Sequence, residues 1–251
     1  MIYPGIASVT FRRLTPSEIV SLVVEAGLTG IEWGGDVHVP HGNVDQAVAV
    51  RNLTAQAGLQ VVAYGSYYVV GGDGGPAFDA VMDSAVALGA PVIRVWAGRK
   101  GSADATREYR NRIIADARRI GDMAAQAHIT VAFEFHGGTL TDSGRAAQCL
   151  LQEINHTRVQ TCWQPSLADD TNVLELREIL QWLTNVHVFQ WQSGTGRRLP
   201  LAAGSSDWQK CLAAVSSTGR DHFALLEFVE GDAPINFLRD AGTLKYWLTE
   251  T

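Results

Sequence analysis

TVAFEFHGGTLTDS, residues 130–143, reads as one complete structural unit. An apolar run from Thr130 to His136 has strand composition and is broken only by Glu134; Gly137 and Gly138 end it, and Ser143 stands where a helix wants a capping oxygen. A short apolar strand followed at once by a helix start is the βα unit from which parallel sheets are built.

The same unit recurs along the chain. Strands are expected at Ile2 to Val9, Gly30 to Gly34, Gln60 to Tyr68, Val92 to Gly98, Thr130 to His136, Val159 to Gln164, Val186 to Gln192 and His222 to Val229. Helices are expected to begin near Thr15, Val44, Pro76, Asp104, Ser143, Asn172, Ser205 and Pro234. Val20, Val23 and Val24, and likewise Ile113, Ala117, Ile120 and Met123, recur at helical spacing and give each helix an apolar face for the sheet. Gly27, Gly58 and Gly89 follow three of these helices, where a left-handed residue stops the turn.

Eight such units in 251 residues predict an α/β fold, a single (β/α)8 TIM barrel occupying residues 1–251 as one domain. An open doubly wound sheet is the alternative, but no GxGxxG follows the first strand and eight evenly spaced strands suit closure.

Composition narrows the function classes. The chain is 46% hydrophobic and 18% charged, enough for a large core, and its net charge of −6 with no long Lys/Arg run gives no attraction for nucleic acid. No apolar stretch is long enough to span a bilayer, and Met1 leads straight into a strand rather than an export signal, so a soluble, cytoplasmic protein is expected. Cys149, Cys162 and Cys211 are an odd number without metal-ligand spacing and read as packing thiols.

In a barrel of this kind, the last inward-facing polar residues of the strands reach the active mouth. That rule selects Glu32 in GIEWGGD, Arg94 and Trp96 in VIRVWAG, Glu134 and His136 in VAFEFHGG, Gln164 in TCWQP, His187 or Gln190 in VHVFQWQ, and Glu227 in ALLEFVEG. Glu134 and Glu227 each interrupt an apolar strand, where an unpaired carboxylate would cost several kcal/mol. Each needs a partner: an arginine such as Arg94, or a divalent cation shared with a histidine and an amide. His128, His156 and His222 lie next to turns and read as surface or packing residues.

With these residues placed, the chain resembles the xylose-isomerase-like sugar phosphate isomerase/epimerase superfamily. The likeness runs nearly its whole length and rests on GIEWGG, FEFHGGTLTDS, CWQP, VHVFQW and LLEF. The resemblance implies a divalent metal, Mn2+, Mg2+ or Zn2+, held by Glu134, Gln164, His187 and Glu227. Gln164 stands where the family has an aspartate, and Gln190 where it has an acidic residue three positions after the histidine. It further implies that Glu134 and Glu227 flank the substrate as interchangeable base and acid, passing protons at a carbon next to a carbonyl through an enediolate. The substrate would be a small-molecule sugar or sugar phosphate.

Arg197 and Arg198, in SGTGRRLPLAAG, resemble the family's arginine-bearing segment that contacts a substrate oxygen or phosphate. GDVHVPHGN and YGSYYVVGGDGG add His38, Tyr67 and Tyr68, with Trp33 and Trp96 as flat surfaces for a sugar ring. An isomerase or epimerase is the leading expectation. A lyase or dehydratase of the same barrel, a metal-free carbohydrate-binding barrel and a DNA-repair endonuclease are the alternatives, and the missing sixth-strand acid and negative charge weigh against the last. Association into a homo-oligomer is expected by analogy alone.

Overall fold

A computed structural model describes residues 1–72, 74–166 and 172–250. Eight parallel strands close into a barrel: β1 (Ile2–Ala7), β2 (Gly30–Gly34), β3 (Gln60–Val69), β4 (Val92–Trp96), β5 (Thr130–Glu134), β6 (Val159–Trp163), β7 (Leu183–Val188) and β10 (His222–Leu226). Each neighbours the next in sequence, and β10 pairs with β1 from Ile2↔His222 to Ile6↔Leu226, which removes the open-sheet alternative. The remaining two-residue strands, β8 (Trp191–Gln192) and β9 (Arg197–Arg198), form an antiparallel hairpin outside the barrel.

Around the sheet lie α1 (Pro16–Ala26), α2 (Val44–Gln56), α3 (Phe78–Leu88), α4 (Arg107–Gln126), α5 (Gly144–Ile154), α6 (Asn172–Ile179), α7 (Ser205–Ser216) and α8 (Pro234–Thr249). Local chemistry sets their ends. Thr15 caps α1 in a reciprocal box with Glu18, and Asn43 and Ser143 cap α2 and α5 with side-chain oxygens. Gly27 and Gly89 stop α1 and α3 in left-handed conformations, at φ 65° and 72°.

Several boundaries differ from the sequence expectation, most strands ending one to three residues early. The first strand ends at Ala7 because Ser8 turns into a 3-10 segment, Ser8–Phe11, where its Oγ accepts from the Gly34 N–H at 2.9 Å. The third helix starts at Phe78, beyond Pro76. The fourth begins at Arg107 rather than near Asp104, because Thr106 supplies the cap by accepting from the Tyr109 N–H. The seventh strand is displaced toward the N-terminus, pairing Leu183 with Thr161, and Trp191 leaves the barrel to pair with Arg198.

Strand alternation separates two environments. Ile31, Trp33, Ile93, Val95, Val131, Phe133, Trp163, Val186, Val188 and Leu226 belong to the apolar layer shared with the helices. The alternate positions, Glu32, Arg94, Glu134 and His187, carry buried charged or titratable groups instead. Burying such groups is tolerable only if they satisfy one another. Among the described residues, no helix is long and apolar enough to cross a membrane.

Candidate active site

Side chains from five strand ends join into one chain of charges at the C-terminal mouth of the barrel. Arg94 Nε donates to Glu32 Oε1 at 2.7 Å, and Arg94 Nη1 donates to Glu134 Oε2. The same Glu134 oxygen accepts from the Trp96 indole N–H at 2.5 Å. His187 Nε2 lies 3.1 Å from Glu32 Oε2, and its Nδ1 lies 3.2 Å from Glu227 Oε2. Glu134 and Glu227 thus belong to one cluster, linked through Arg94, Glu32 and His187, all of them buried.

The cluster rewrites its members' proton affinities. Burial opposes the Glu32 charge, but Arg94 and then His187 outweigh it and hold the carboxyl down at about 2. Burial equally disfavours an imidazolium, yet Glu32 and then Glu227 outweigh it and raise His187 to about 10. Arg94 is pulled up well above its ordinary value, Glu134 and Glu32 overcoming its desolvation.

Two local devices make room for this arrangement. Gly65 on β3 lies against the ion pair: a Cβ there would stand 2.7 Å from Arg94 Nη2 and 3.0 Å from Glu32 Oε1. Just beyond it, the β3–β4 register slips between Gly65 and Tyr68, and the Ser66 hydroxyl secures the bulge by donating to the Arg94 carbonyl at 2.7 Å. The bulge turns Tyr67 to the mouth at φ 54°, its ring 5.4 Å from the Arg94 guanidinium carbon. Phe228, next to Glu227, is likewise left-handed at φ 53°. Both non-glycine residues hold costly backbone conformations beside the charge cluster.

The other sequence candidates divide. Trp96 stacks on His136 with ring centroids 5.4 Å apart, so both stand at the mouth, although His136 Nδ1 is engaged by the Gly137 carbonyl at 2.7 Å. Arg198 lies over the Phe228 ring and pairs with Asp232, whereas Arg197 is exposed on the hairpin. Gln190 is half-buried beside Gly204, its amide donating to the Trp191 carbonyl at 3.4 Å.

His38 departs from the expected substrate contact. The Leu14 carbonyl can only accept, so His38 Nε2 donates to it at 3.2 Å; in the neutral ring Nδ1 then accepts from the Ser8 hydroxyl at 2.9 Å, and Ser8 in turn accepts from the Gly34 N–H. Burial holds this ring neutral, consistent with that tautomer, and neither nitrogen is available. Trp33 and Tyr68 also turn away from the mouth: the Trp33 indole donates to Thr54 on α2, and the Tyr68 hydroxyl to Asp116 on α4. Gly65 and Arg12 escaped the sequence reading, because no periodicity marks a glycine that faces an ion pair or an arginine in a loop.

The donor set can be tested against a divalent cation. His187 Nδ1, Glu227 Oε2 and Gln164 Oε1 are buried atoms without a hydrogen-bond partner, and they belong to three of the four residues that the family pattern nominates. The 3.2 Å between the first two lacks hydrogen-bond alignment but is close to the roughly 3 Å that separates two donors about 2.1 Å from one ion at right angles. Among the described residues, no group of three His, Cys, Asp or Glu side chains is arranged for a metal, so the set reaches three only through the neutral Gln164 carbonyl. Glu134 has Oε2 committed to Arg94 and Trp96, leaving Oε1. His187 Nδ1 and Glu227 Oε2 thus fit two ligands of one cation, and Gln164 Oε1 is the further unpartnered buried oxygen that would complete the set.

A closed parallel barrel with buried acids, a histidine and an arginine converging at the strand C-termini defines the class of (β/α)8 barrels with a polar centre at their C-terminal face. Within it, the chain belongs to the xylose isomerase-like TIM barrel family, whose model matches residues 20–245. A 3-dehydroshikimate dehydratase of Bacillus anthracis is 30% identical over 156 residues, covering 54% of this chain and 55% of the relative. The match therefore spans about half the length of that curated relative. The structure of a probable 3-DHS dehydratase from Bacillus anthracis, involved in petrobactin synthesis, superposes with a TM-score of 0.81 at 22% identity, over 98% of this chain and 99% of that one. The 3-keto-D-glucoside 4-epimerase of E. coli gives 0.73 at 17% identity, over 99% and 100%. An L-ribulose 3-epimerase gives 0.72 at 16%, over 100% and 95%. At these identities the structural likenesses establish the fold alone.

Proposed function

We propose that this chain is a lyase that dehydrates a cyclic β-hydroxy ketone of the 3-dehydroshikimate type, beginning with removal of the proton next to the carbonyl. The observation that carries this reading is the asymmetry of the two glutamates. Glu134 Oε2 already accepts from Arg94 and Trp96, whereas among the described residues Glu227 accepts no hydrogen bond on either carboxylate oxygen and has only the ion-pair contact of His187 Nδ1 with its Oε2 at 3.2 Å. An epimerase that works through two bases needs two carboxylates able to trade roles; here one is tied down and the other is open. One open base suffices for elimination. The dehydratase relative supports the same choice over the isomerase or epimerase expected first.

Glu227 takes the proton from the carbon next to the carbonyl and returns it, as its conjugate acid, to the hydroxyl leaving from the adjacent carbon on the same face; water departs and a double bond remains. A divalent cation held by Glu227 Oε2, His187 and Gln164 would supply positive charge for the oxygen that becomes an enolate, and the other Glu227 oxygen would then be the one that takes the proton. Arg94 holds Glu134 and Glu32 in place during the transfer, and Glu32 orients His187. Trp96 and Tyr67 offer ring surface at the mouth.

The test is incubation of Mn2+-supplemented protein with 3-dehydroshikimate, following the near-ultraviolet absorbance of the aromatic product. Absorbance growth that Glu227→Gln abolishes supports the lyase. Deuterium incorporation into a recovered ketose in D2O, with no elimination from 3-dehydroshikimate, would restore the epimerase reading.

A further inference from the structure

A cavity of about 520 Å3 opens between the loops that follow β1 and β10, lined by Val9 to Leu14 on one side and Arg198, Gly231, Asp232 and Pro234 on the other. It contains none of the clustered glutamates, yet it abuts them at two points. Arg12 Nη2 donates to the Tyr67 hydroxyl at 2.9 Å, and the Tyr67 ring lies against Arg94. Arg198 covers Phe228, the residue that follows Glu227.

Its charges do not cancel. Arg12 is answered by Asp36 at 2.8 Å, and Arg198 by Asp232. Among the described residues, Arg13 has neither a hydrogen bond nor an ion pair, and its exposed guanidinium borders the same cavity. In a chain of net charge −6, an uncompensated cation flanked by two further guanidiniums is an unusual concentration of positive charge. A cavity of this volume accommodates a small molecule, and a guanidinium fork matches a planar carboxylate or a phosphate oxygen pair.

We infer that this cavity is the subsite for an anionic substituent of the substrate, a carboxylate or a phosphate, with Arg13 as its ligand and Arg12 and Arg198 as its walls. The assignment rests on the proposed reaction centre only for its orientation: the substituent occupies the β1–β10 seam while the reacting carbon faces Glu227. Arg12 contributes by a second route, since an anion that draws on it competes for the guanidinium that now holds Tyr67.

Three probes share one ring and differ in head group: benzoate, phenyl phosphate and neutral benzamide. Titration calorimetry of each against the full chain, the Arg13→Glu variant and the charge-matched surface control Arg145→Glu reads binding without requiring turnover. The expected result is that one or both acids bind, benzamide does not, and Arg13→Glu weakens the acid at least about tenfold, the effect of one charge-assisted hydrogen bond, while Arg145→Glu changes it less than about twofold. Preference for benzoate marks a carboxylate substrate; preference for phenyl phosphate marks a phosphate ester. Failure of both acids to bind, or equal weakening by the two variants, overturns the subsite. Because no turnover is read, loss of the dehydratase reading would leave an Arg13-dependent binding result standing.

Discussion

Gly65→Ala should destabilise the protein far more than one methyl group suggests, because the site for that methyl lies against a buried ion pair. The added carbon would lie 2.7 Å from Arg94 Nη2 and 3.4 Å from Arg94 Cζ, where ordinary contact is about 3.5–4.0 Å. Arg94 would have to retreat by about an ångström, but its Nε is bonded to Glu32 at 2.7 Å and its Nη1 to Glu134. Retreat therefore sacrifices one charge-assisted hydrogen bond in a site closed to water, about 1.5–3 kcal/mol, with the full loss of a buried partner, about 3–5 kcal/mol, as the ceiling. We expect about 2–3 kcal/mol, or a Tm lower by roughly 5–10 °C for a domain of this size. Urea denaturation with unchanged m-value is the assay. In an Arg94→Lys background, which removes Nη2, the same substitution should cost about 1–2 kcal/mol less, a coupling of the size found for contacting residues. A Gly65→Ala protein within about 0.5 kcal/mol of wild type, or an equal cost in both backgrounds, would refute the claim that Gly65 is small because of Arg94.

Other consequences are independent of that one. Glu227→Gln should reduce proton abstraction by at least about a hundredfold while Glu134→Gln leaves measurable turnover, read as deuterium exchange in D2O; equal losses would contradict a single open base. In protein stripped of divalent cations, stability should be greatest between pH values near 4.5 and 6.5: Glu32, held down at about 2, contributes stability that is lost as pH falls from its unfolded value toward 2, and His187, raised to about 10, contributes stability that is lost as pH rises from its unfolded value through 10. Denaturation across pH should show both limbs, and Glu32→Gln should flatten the acid limb. Thr106→Ala should cost about 1 kcal/mol by removing the cap of α4, whose Oγ accepts from Tyr109 at 3.2 Å, with little effect on the charge cluster; urea titration measures the first and retained turnover the second.

The barrel was legible because each of its units repeats the same local statement, an apolar strand and then a capped helix, and local statements survive without knowledge of the tertiary structure. TVAFE became β5 and Ser143 became the cap of α5. The inward acids were legible for a related reason: Glu134 and Glu227 violate an apolar pattern, and a violation stands out in one dimension. Direction was harder to read wherever pleat parity fails. Ser66 and Tyr67 form a bulge, so Tyr67 meets the mouth while Tyr68 turns to Asp116 on α4. Trp33 follows strict alternation and therefore faces α2, although its neighbour Glu32 faces the site. His38 was misleading because its two partners, Ser8 and Leu14, come from the first βα segment, more than twenty residues away.

Gln164 takes a different meaning once Arg94 and Glu32 are in view. Three carboxylates face one guanidinium and one imidazole, and with every group counted in its ionised form the formal charges sum to −1. A divalent cation on Glu227, His187 and Gln164 would displace the imidazole proton, since a metal-bound ring is neutral, and would leave the buried cluster balanced. An aspartate in place of Gln164 would restore an unbalanced charge in a region where none is easily solvated. Gln164 is thus the residue type that a barrel already carrying an internal Glu32–Arg94–Glu134 network would need at this position, and its neutrality is compatible with a metal centre rather than evidence of a lost one.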